Sequence, residues 1–487
     1  MKRTKEPTYS QDAQKALENH VLQSSLKKLQ NRFGKGVMEY WAAKDDDELR
    51  DRVKRRRMST IENLDVVLSL LADNVQKAGG HVYFAKTGSD AVKYCLRVAQ
   101  KNEVKTVVKG KSMLSAEIGV DKALEQQGVE VVETDLGEFI IQLAGDAPSH
   151  IIAPCIHLNR QQIGKLFQEK LGIDYTDDPP ELTRAARGAL RRKMIDADMG
   201  ITGCNFACAE TGKISLVSNE GNIRMATTMP RIHLALMGIE RIAATMQEHQ
   251  GMLQLLTRGA ALQKLSTYVS FVGGPKSEGD PDGPEEFHLV LVDNGRSKIL
   301  GDPEFREVLA CLRCGACLNI CPVYGRIGGH AYHSPYPGPI GAVVSPLLFG
   351  MNQHADLCKG ESLCGACLDI CPVKIDLPRM LLALRHKLAY GDAKWQARQH
   401  KPSEAFAFKL YRLIISNSMF YRLALRCARL LQKPFMGKSG MIGKMMGPGA
   451  RWTNDRDLPP LAREPFNRRW KKKHSRNQKR NNEVNHG

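Results

Sequence analysis

The chain has 487 residues, which is more than one ordinary domain holds and predicts two to four domains. Its composition, 42% hydrophobic and 25% charged, excludes a wholly disordered chain and a membrane bundle. The net charge of +19 suits nucleic acid, an anionic membrane surface or an acidic redox partner, and does not choose among them. No apolar run of signal-peptide length opens the chain, so we expect a cytoplasmic protein.

The first two predicted segments are a charged arm and an α/β domain. Residues 1–60 are strongly charged and predict a helical arm that packs on the next domain. In residues 61–300 short apolar runs alternate with helical patterns, which predicts an α/β domain with a substantially parallel, buried sheet. A stretch rich in Gly, Pro and acidic residues at 273–287 predicts a surface loop. The predicted strands occupy 81–85, 106–108, 129–134, 149–157 and 213–217.

Two further segments complete the predicted organisation. Residues 301–390 contain eight of the thirteen cysteines, a density that predicts a small, metal-stabilised domain. Residues 391–487 predict a helical extension followed by a basic tail, which from Arg451 onward carries 11 Lys and Arg against 4 Asp and Glu. Within this extension, 405–431 has helical spacing of apolar residues broken by Lys and Arg. That pattern is amphipathic, so it allows peripheral contact with a membrane but does not predict a spanning helix.

The first cysteine motif reads CLRCGACLNICP from Cys311 to Pro322 and has the C-x2-C-x2-C-x3-C-P spacing of bacterial ferredoxins. Two-residue gaps let one tight loop direct three thiolates at three corners of a [4Fe–4S] cluster. In two-cluster proteins the fourth cysteine ligates the other cluster, so a second motif is expected. Structural zinc would close each site with four ligands and does not explain a C-x3-C-P ending, which favours iron–sulfur chemistry.

The second motif repeats the first at an offset of 50 residues, since LCGACLDICPV at 363–373 matches RCGACLNICPV at 313–323. By the exchange rule each cluster takes ligands from both motifs, which predicts two [4Fe–4S] clusters. The first cluster is predicted to bind Cys311, Cys314, Cys317 and Cys371. The second is predicted to bind Cys321, Cys364 and Cys367.

The eighth ligand is the point where the repeat departs from the pattern. The position three residues before Cys364 holds Glu361, and the nearest upstream thiol is Cys358. A loop can span the longer gap, so Cys358 is the predicted fourth ligand of the second cluster. A labile [3Fe–4S] cluster and a non-cysteine ligand remain open alternatives.

The remaining candidates carry less chemical information. Neither a G-x-G-x-x-G fingerprint after a strand nor a P-loop occurs, so the sequence does not identify residues of an organic cofactor site, and binding of CoA or a flavin stays an open question. Lys109 and Lys111 follow a predicted strand and could face an anion, although ordinary turn chemistry is favoured there. No carboxylate pairs with a base or nucleophile in a recognisable catalytic pattern. The other five cysteines are predicted to be core thiols: Cys95, Cys155, Cys204, Cys208 and Cys427.

Several stretches together resemble the lactate utilization protein B (LutB/YkgF) family. They are VEVVETDLGEFIIQL at 129–143, GCNFACAETG at 203–212, NEGN at 219–222 and the run from 311 to 348. The resemblance covers about 10–470 and implies a LUD domain, similar in fold to NagB/RpiA/CoA-transferase-like proteins, before a two-cluster ferredoxin-type unit. It also implies that the chain carries electrons in the oxidation of L-lactate to pyruvate, together with LutA-like and LutC-like partners.

Two hypotheses of different classes follow. The leading one is an electron-transfer subunit of a lactate-oxidising system, whose downstream acceptor the sequence does not identify. The alternative is a redox- or iron-sensing protein that binds nucleic acid, which rests on the net charge of +19 and the basic tail alone. Nucleic acid is therefore the less favoured partner.

Overall fold

The protein is described from a computed structural model. The structure describes residues 8–43, 46–398, 402–437, 439–443, 445–453, 456–462 and 464–484. The chain divides into two units, residues 1–399 and residues 400–487, and each is described by itself. Within the described ranges no helix combines the length and apolar character that crossing a membrane requires.

The N-terminal arm is helical, as predicted, and packs into the first unit. Leu22, Leu26 and Leu29 lie on one face of the second helix and are buried in the same core as the cysteine region. The last helix of this group ends just before the first strand and contributes Leu71 and Val75 to the core beneath the sheet. The α-helices are Tyr9–Glu18, His20–Leu29, Gly36–Ala43, Asp47–Glu62 and Leu64–Lys77, with a π-helix at Gln30–Lys35.

The α/β region is built on a parallel six-stranded sheet with the order β1-β10-β7-β4-β2-β3. A smaller mixed sheet has the order β8-β5-β6-β9. The strands are β1 His81–Ala85, β2 Thr106–Lys109, β3 Glu130–Glu133, β4 Met199–Thr202, β5 Phe206–Cys208, β6 Lys213–Ser218, β7 Ile232–Gly238, β8 Ile242–Ala243, β9 Tyr268–Val272 and β10 Glu286–Val292.

Helices cover both faces of the large sheet. One face packs against the helix Gly88–Lys101 through Ala91, Cys95 and Val98, and the other packs against the small sheet and the helix Leu64–Lys77. Because both faces are covered, β7 is buried at every position. The helices of this region are Gly88–Lys101, Met113–Ile118, Val120–Glu125, Leu136–Ala144, Arg160–Leu171, Pro179–Ile195, Asn222–Thr228, Met246–Ala261 and Arg296–Leu300.

The structure confirms the strands predicted at 81–85, 106–108 and 129–134, which are β1, β2 and β3. The strand at 213–217 also exists, as β6, but it lies in the small sheet and pairs antiparallel.

The strand predicted at 149–157 is wrong, because this segment forms turns. The imidazole Nδ1 of His150 accepts hydrogen bonds from the backbone N–H groups of Ile152 and Ala153, both at 3.1 Å. The Ser149 N–H donates to the Pro154 carbonyl at 2.9 Å. These local bonds satisfy the backbone groups that a sheet would otherwise pair.

The cysteine region consists of short helices that continue the core of the first unit. Its longest helix ends the region, with Leu377, Leu381 and Leu384 buried. The α-helices are Ala316–Ile320, Tyr324–Ile327, Gly338–Phe349, Ala355–Gly360, Ala366–Asp369 and Leu377–Tyr390, with 3-10 helices at Arg306–Ala310 and His330–Tyr332.

The described residues of the second unit are mainly helical, with isolated β-bridges that join Ile442 to Met436 and to Leu458. Two helices replace the single amphipathic stretch predicted at 405–431, and they meet at Asn417, whose side chain accepts hydrogen bonds from the N–H groups that open the second helix. The α-helices are Pro402–Ser416, Ser418–Leu431, Ala450–Thr453 and Phe466–Val484, with 3-10 helices at Lys433–Phe435 and Gly447–Gly449.

Candidate metal centre

The two cysteine motifs have the same backbone conformation as well as the same sequence. Arg313 and Leu363 occupy equivalent positions and have φ angles of 60° and 56°. Two residues on, Gly315 and Gly365 have φ angles of 77° and 87°, a left-handed conformation that glycine adopts without strain. Each glycine carbonyl then accepts the first hydrogen bond of a short helix, at 3.0 and 2.9 Å. The internal repeat of the sequence is therefore a structural repeat.

The first cavity is lined by the four cysteines predicted for the first cluster. The backbone N–H of Arg313 donates to Cys311 Sγ at 3.3 Å, which aims a fixed donor at a sulfur in the manner typical of ferredoxin loops. Ile151, from the segment that was wrongly predicted to be a strand, closes one side. The cysteines of this cavity are Cys311, Cys314, Cys317 and Cys371.

The second cavity is lined by three of the four residues predicted for the second cluster, Cys321, Cys364 and Cys367. Glu361 also lines it, and Cys321 Sγ lies 3.5 Å from Glu361 Oε2. Cys358 does not line it. Its thiol donates to the Ala355 carbonyl at 3.3 Å within its own helix, and its side chain is fully buried in the core.

Burial makes four of these thiols weak acids in the protein alone, as their pKa values show. It raises the pKa of Cys367 to about 12 and that of Cys371 to about 11, and it raises the pKa values of Cys314 and Cys321 as well. A bound cation reverses this preference, because metal ligation holds cysteine as thiolate. Cysteine sulfurs that converge on two cavities, all of them buried or half-buried except that of Cys364, therefore fit iron–sulfur clusters, for which the protein supplies ligands and the iron supplies the compensating charge.

Arginines from distant parts of the chain hold the cysteine loops. Arg241 donates to the Cys311 carbonyl at 2.7 Å and to the Leu312 carbonyl at 3.2 Å. Arg50, from the N-terminal arm, donates to the Cys371 carbonyl at 2.8 Å. The sequence analysis missed both arginines, because no local pattern marks a side chain that binds a carbonyl 70 or 321 residues away.

A buried chain of charges connects the α/β region to the first motif. Arg296 pairs with Glu117 at 2.8 Å and with Glu240 at 2.7 Å. Glu240 in turn lies 3.8 Å from the Arg313 guanidinium. Burial alone would raise the pKa of Glu240, but Arg296 and Arg313 hold it below its usual value. The carboxylate is thus ionised and joins the two regions electrostatically.

The lysines considered as anion ligands are paired with carboxylates of the protein itself. Lys109 Nζ lies 2.6 Å from Glu133 and 2.8 Å from Asp121, and its side chain is 3% exposed. Lys111 Nζ lies 3.1 Å from Glu138. These ion pairs agree with a structural role for both lysines. Of the five cysteines predicted to be core thiols, Cys95 and Cys208 are buried, whereas the prediction was wrong for Cys427, which is exposed.

A parallel α/β domain followed by a duplicated cysteine module defines a LUD-type protein with a built-in ferredoxin-type unit. The LUD domain family matches residues 68–292, the 4Fe-4S dicluster domain family matches residues 307–375, and the family "Lactate utilisation protein B, C-terminal" matches residues 385–475. The dicluster match supports iron–sulfur clusters as the cofactors of the two cavities.

The chain belongs to the lactate utilization protein B family. It is 45% identical over 461 residues to Lactate utilization protein B of Shouchella clausii, a match that covers 94% of this chain and 95% of the relative. It is 48% identical over 430 residues to the Bacillus cereus (strain AH820) protein of the same name, covering 88% and 89%. A solved structure of a DUF162 family protein from Deinococcus radiodurans aligns with 47% of this chain and 98% of its own, at 14% identity and a TM-score of 0.27, too low to carry an argument.

Proposed function

We propose that this chain is an electron-transfer protein that takes part in the oxidation of L-lactate to pyruvate, with LutA-like and LutC-like partners. The observation that carries the proposal is the pair of cysteine-lined cavities in a chain of this family. Bound [4Fe–4S] clusters supply one-electron redox chemistry. The proposed ligands are Cys311, Cys314, Cys317 and Cys371 in the first cavity and Cys321, Cys364 and Cys367 in the second.

The two cavities differ in exposure, which supports different roles. In the first motif Leu312, Cys314 and Ala316 are buried, and the loop is covered by the α/β region. In the second motif Ser362 and Cys364 are exposed. Electron transfer between proteins requires that their redox centres come close together. We therefore propose that the cluster in the second cavity exchanges electrons with the partner protein. The first is the inner site next to the α/β region.

The lactate chemistry itself requires a group that accepts two electrons. The sequence has neither the usual dinucleotide fingerprint nor a P-loop. We therefore assign hydride acceptance to a cofactor on a partner, and electron relay to this chain. The fully parallel sheet with helices on both faces supports a NagB/RpiA/CoA-transferase-like fold for residues 61–300. We further propose that residues 1–60 form a separate arm and that residues 301–390 form the ferredoxin-type domain.

The test combines the full chain, reconstituted anaerobically with iron and sulfide, with LutA-like and LutC-like proteins and L-lactate. We expect EPR signals of reduced clusters to develop only when partners and L-lactate are both present, and D-lactate serves as the substrate control. Cys314→Ser removes a proposed ligand and should lower iron below about eight per chain. Cys427→Ser, an exposed cysteine of the second unit, should leave iron unchanged. Clusters that stay oxidised with all partners and lactate present would contradict the assignment to lactate.

A further inference from the structure

We propose that the carboxylate of Glu361 is the fourth protein ligand of the second iron–sulfur cluster. The inference rests on the cluster content of the proposed function and adds a ligand that the cysteine pattern does not contain. Three independent features of the chain support it: the internal repeat, the position of the carboxylate in the cavity, and the position of Cys358.

The repeat places Glu361 where the first motif has a ligand. At the offset of 50 residues Glu361 corresponds to Cys311, and the next ten positions after 362 keep the motif almost unchanged. The backbone repeats as well, since Leu363 has the left-handed conformation of its counterpart Arg313. The side chain of Glu361 therefore leaves the chain at the position from which Cys311 reaches its cavity.

The carboxylate of Glu361 is held inside the second cavity. Oε2 lies 3.5 Å from Cys321 Sγ, and Oε1 accepts a hydrogen bond from the Tyr332 hydroxyl at 2.9 Å. Arg385 fixes the backbone by donating to the Glu361 carbonyl at 2.7 Å. One carboxylate oxygen is thus oriented by Tyr332, while the other faces the sulfur of a proposed ligand.

The electrostatics of this carboxylate call for a cation. Glu361 is 7% exposed, and in the described part of the chain no lysine, arginine or histidine forms an ion pair with it. Its polar contacts in this part of the chain are the Tyr332 hydroxyl and the Cys321 thiol, with the Arg385 guanidinium nearby. Burying a carboxylate with so little compensating charge is costly. An iron ion supplies the missing charge, and carboxylate oxygen is an established type of metal ligand.

Cys358 is placed for packing. Its side chain has no exposed surface, and its thiol is bonded within its own helix, Ala355–Gly360. Arg385 donates to the Cys358 carbonyl at 2.8 Å and so fixes this helix next to Glu361. Arg385 thus ties the end of this helix to the backbone of Glu361, while the Cys358 thiol stays bonded within the helix.

An oxygen ligand changes the stability of one iron corner. Carboxylate is harder than thiolate and binds the iron of a cluster less tightly. One-electron oxidation by ferricyanide, which becomes ferrocyanide, should release that corner as Fe²⁺ and leave a three-iron cluster. The first cluster, with four thiolates, should resist the same treatment.

The experiment uses the full chain, reconstituted anaerobically, and compares Glu361→Cys, Glu361→Gln and Cys358→Ala with the unchanged protein. Iron content, EPR after ferricyanide treatment, and thermal unfolding are measured on each. We expect about one three-iron cluster per chain from the unchanged protein and from Cys358→Ala after oxidation. Glu361→Gln should show this signal before any oxidant is added, and Glu361→Cys should suppress it at least several-fold.

Two results would overturn the proposal. If Cys358→Ala forms the three-iron cluster unprompted while Glu361→Gln behaves as the unchanged protein, Cys358 is the ligand. If neither substitution alters the signal, the corner is held by neither residue. Both results leave the lactate assignment intact, because no lactate or partner is present. Conversely, an unchanged protein that never binds more than about four irons contradicts the two-cluster function itself.

Discussion

Glu240 is a single residue on which both the α/β region and the first cysteine motif depend. Its side chain is 4% exposed and lies between Arg296 and Arg313. Glu240→Gln removes the charge but keeps the shape, so two buried guanidinium groups lose their shared counter-ion. We expect a loss of about 3–5 kcal/mol in the free energy of unfolding, because one partner of a buried ion pair has been removed. Urea unfolding followed by circular dichroism measures this loss.

The matched control is Glu125→Gln, which changes an exposed carboxylate at the end of the helix Val120–Glu125. It should alter the free energy of unfolding by less than about 0.5 kcal/mol. If Glu240→Gln is as mild as this control, the charge chain does not join the two regions energetically.

Residue identities in the site were predictable where chemistry fixes spacing, and not elsewhere. The seven proposed cysteine ligands follow from a short motif and its repeat, since cluster geometry requires sulfurs at set intervals. The sequence also marked Glu361 as unusual, because this residue stands at a position where the repeat would otherwise have a cysteine ligand. No sequence pattern marked Arg241 or Arg50, since the contact between a guanidinium and a distant backbone carbonyl depends on how the chain folds.

At the scale of single elements, the helix His20–Leu29 anchors the N-terminal arm. Leu26 has no exposed surface and belongs to the core that contains the cysteine region. Leu26→Ala should lower the free energy of unfolding by about 2–5 kcal/mol, through lost burial and the cavity that remains. It should also speed the bleaching of the visible cluster absorption in air, since Gln30, one helical turn on, donates to the Cys321 carbonyl at 2.9 Å.

Leu17→Ala is the control for this helix, because Leu17 lies on the preceding helix Tyr9–Glu18 and is 47% exposed. Thermal unfolding and bleaching rate should both stay near those of the unchanged protein. Equal effects of the two substitutions would show that the arm contributes nothing specific to the cysteine region.

The strand β7 gives the fold a dependence on pH. His233 is fully buried there, and its imidazole Nε2 lies 2.8 Å from Thr202 Oγ1 on the neighbouring strand. Burial, with a smaller contribution from the charge of His288, lowers the pKa of His233 to about 3. Because the unfolded value is about 6.5, the unfolded chain takes up a proton first as the pH falls. Stability from this group is complete above pH about 6.5 and is lost progressively toward pH about 3, by up to about 1.4 kcal/mol per pH unit.

His233→Gln removes the titrating group and keeps a polar partner for Thr202. Midpoints of thermal unfolding between pH about 7.5 and 5 should therefore fall less steeply in this variant than in the unchanged protein. His20→Gln, an exposed substitution on the N-terminal arm, should keep the original slope. Identical slopes for all three proteins would contradict a role for His233.

Strand prediction succeeded where apolar runs were short and bounded, as in β1, β2 and β3. It failed at 149–157, where an equally apolar run is buried against the cysteine region and bonds to itself. There the Tyr324 hydroxyl donates to the Ser149 carbonyl at 2.6 Å, a contact between residues 175 positions apart. An apolar run reports burial, but the partner that buries it is set by tertiary structure.

At the scale of the whole molecule, the first unit has a continuous core that crosses the predicted segments. Residues of the arm, the α/β region and the cysteine region share one apolar cluster, which includes Leu26, Met252 and Tyr324. Composition and motifs predicted the three segments from local patterns. The sequence did not predict how closely these segments pack against one another, since no local sequence pattern marks residues that share a core across segments. The exact domain boundaries stay a prediction.

The second unit leads to a prediction about membranes. Its helices Pro402–Ser416 and Ser418–Leu431 expose large apolar side chains, including Phe406 at 68% and Phe408 at 65%. Residues 402–437 carry six Lys and Arg against one acidic residue. Apolar surface combined with positive charge favours the interface of an anionic membrane. We therefore expect the full chain to sediment with phosphatidylglycerol vesicles more strongly than with phosphatidylcholine vesicles, and less as salt is raised.

Substitutions distinguish a membrane contact of these two helices from nonspecific adsorption of the protein to vesicles. The double change Phe406→Ser with Phe408→Ser should reduce sedimentation with phosphatidylglycerol vesicles several-fold, because it removes buried apolar area at the interface. Leu265→Ser, at an exposed leucine of the first unit, should leave binding unchanged, since that residue is 75% exposed outside the helices concerned. Equal binding to both lipids at every salt concentration would exclude an electrostatic membrane contact. Loss of binding in the Leu265 variant alone would move the lipid-binding surface to the first unit.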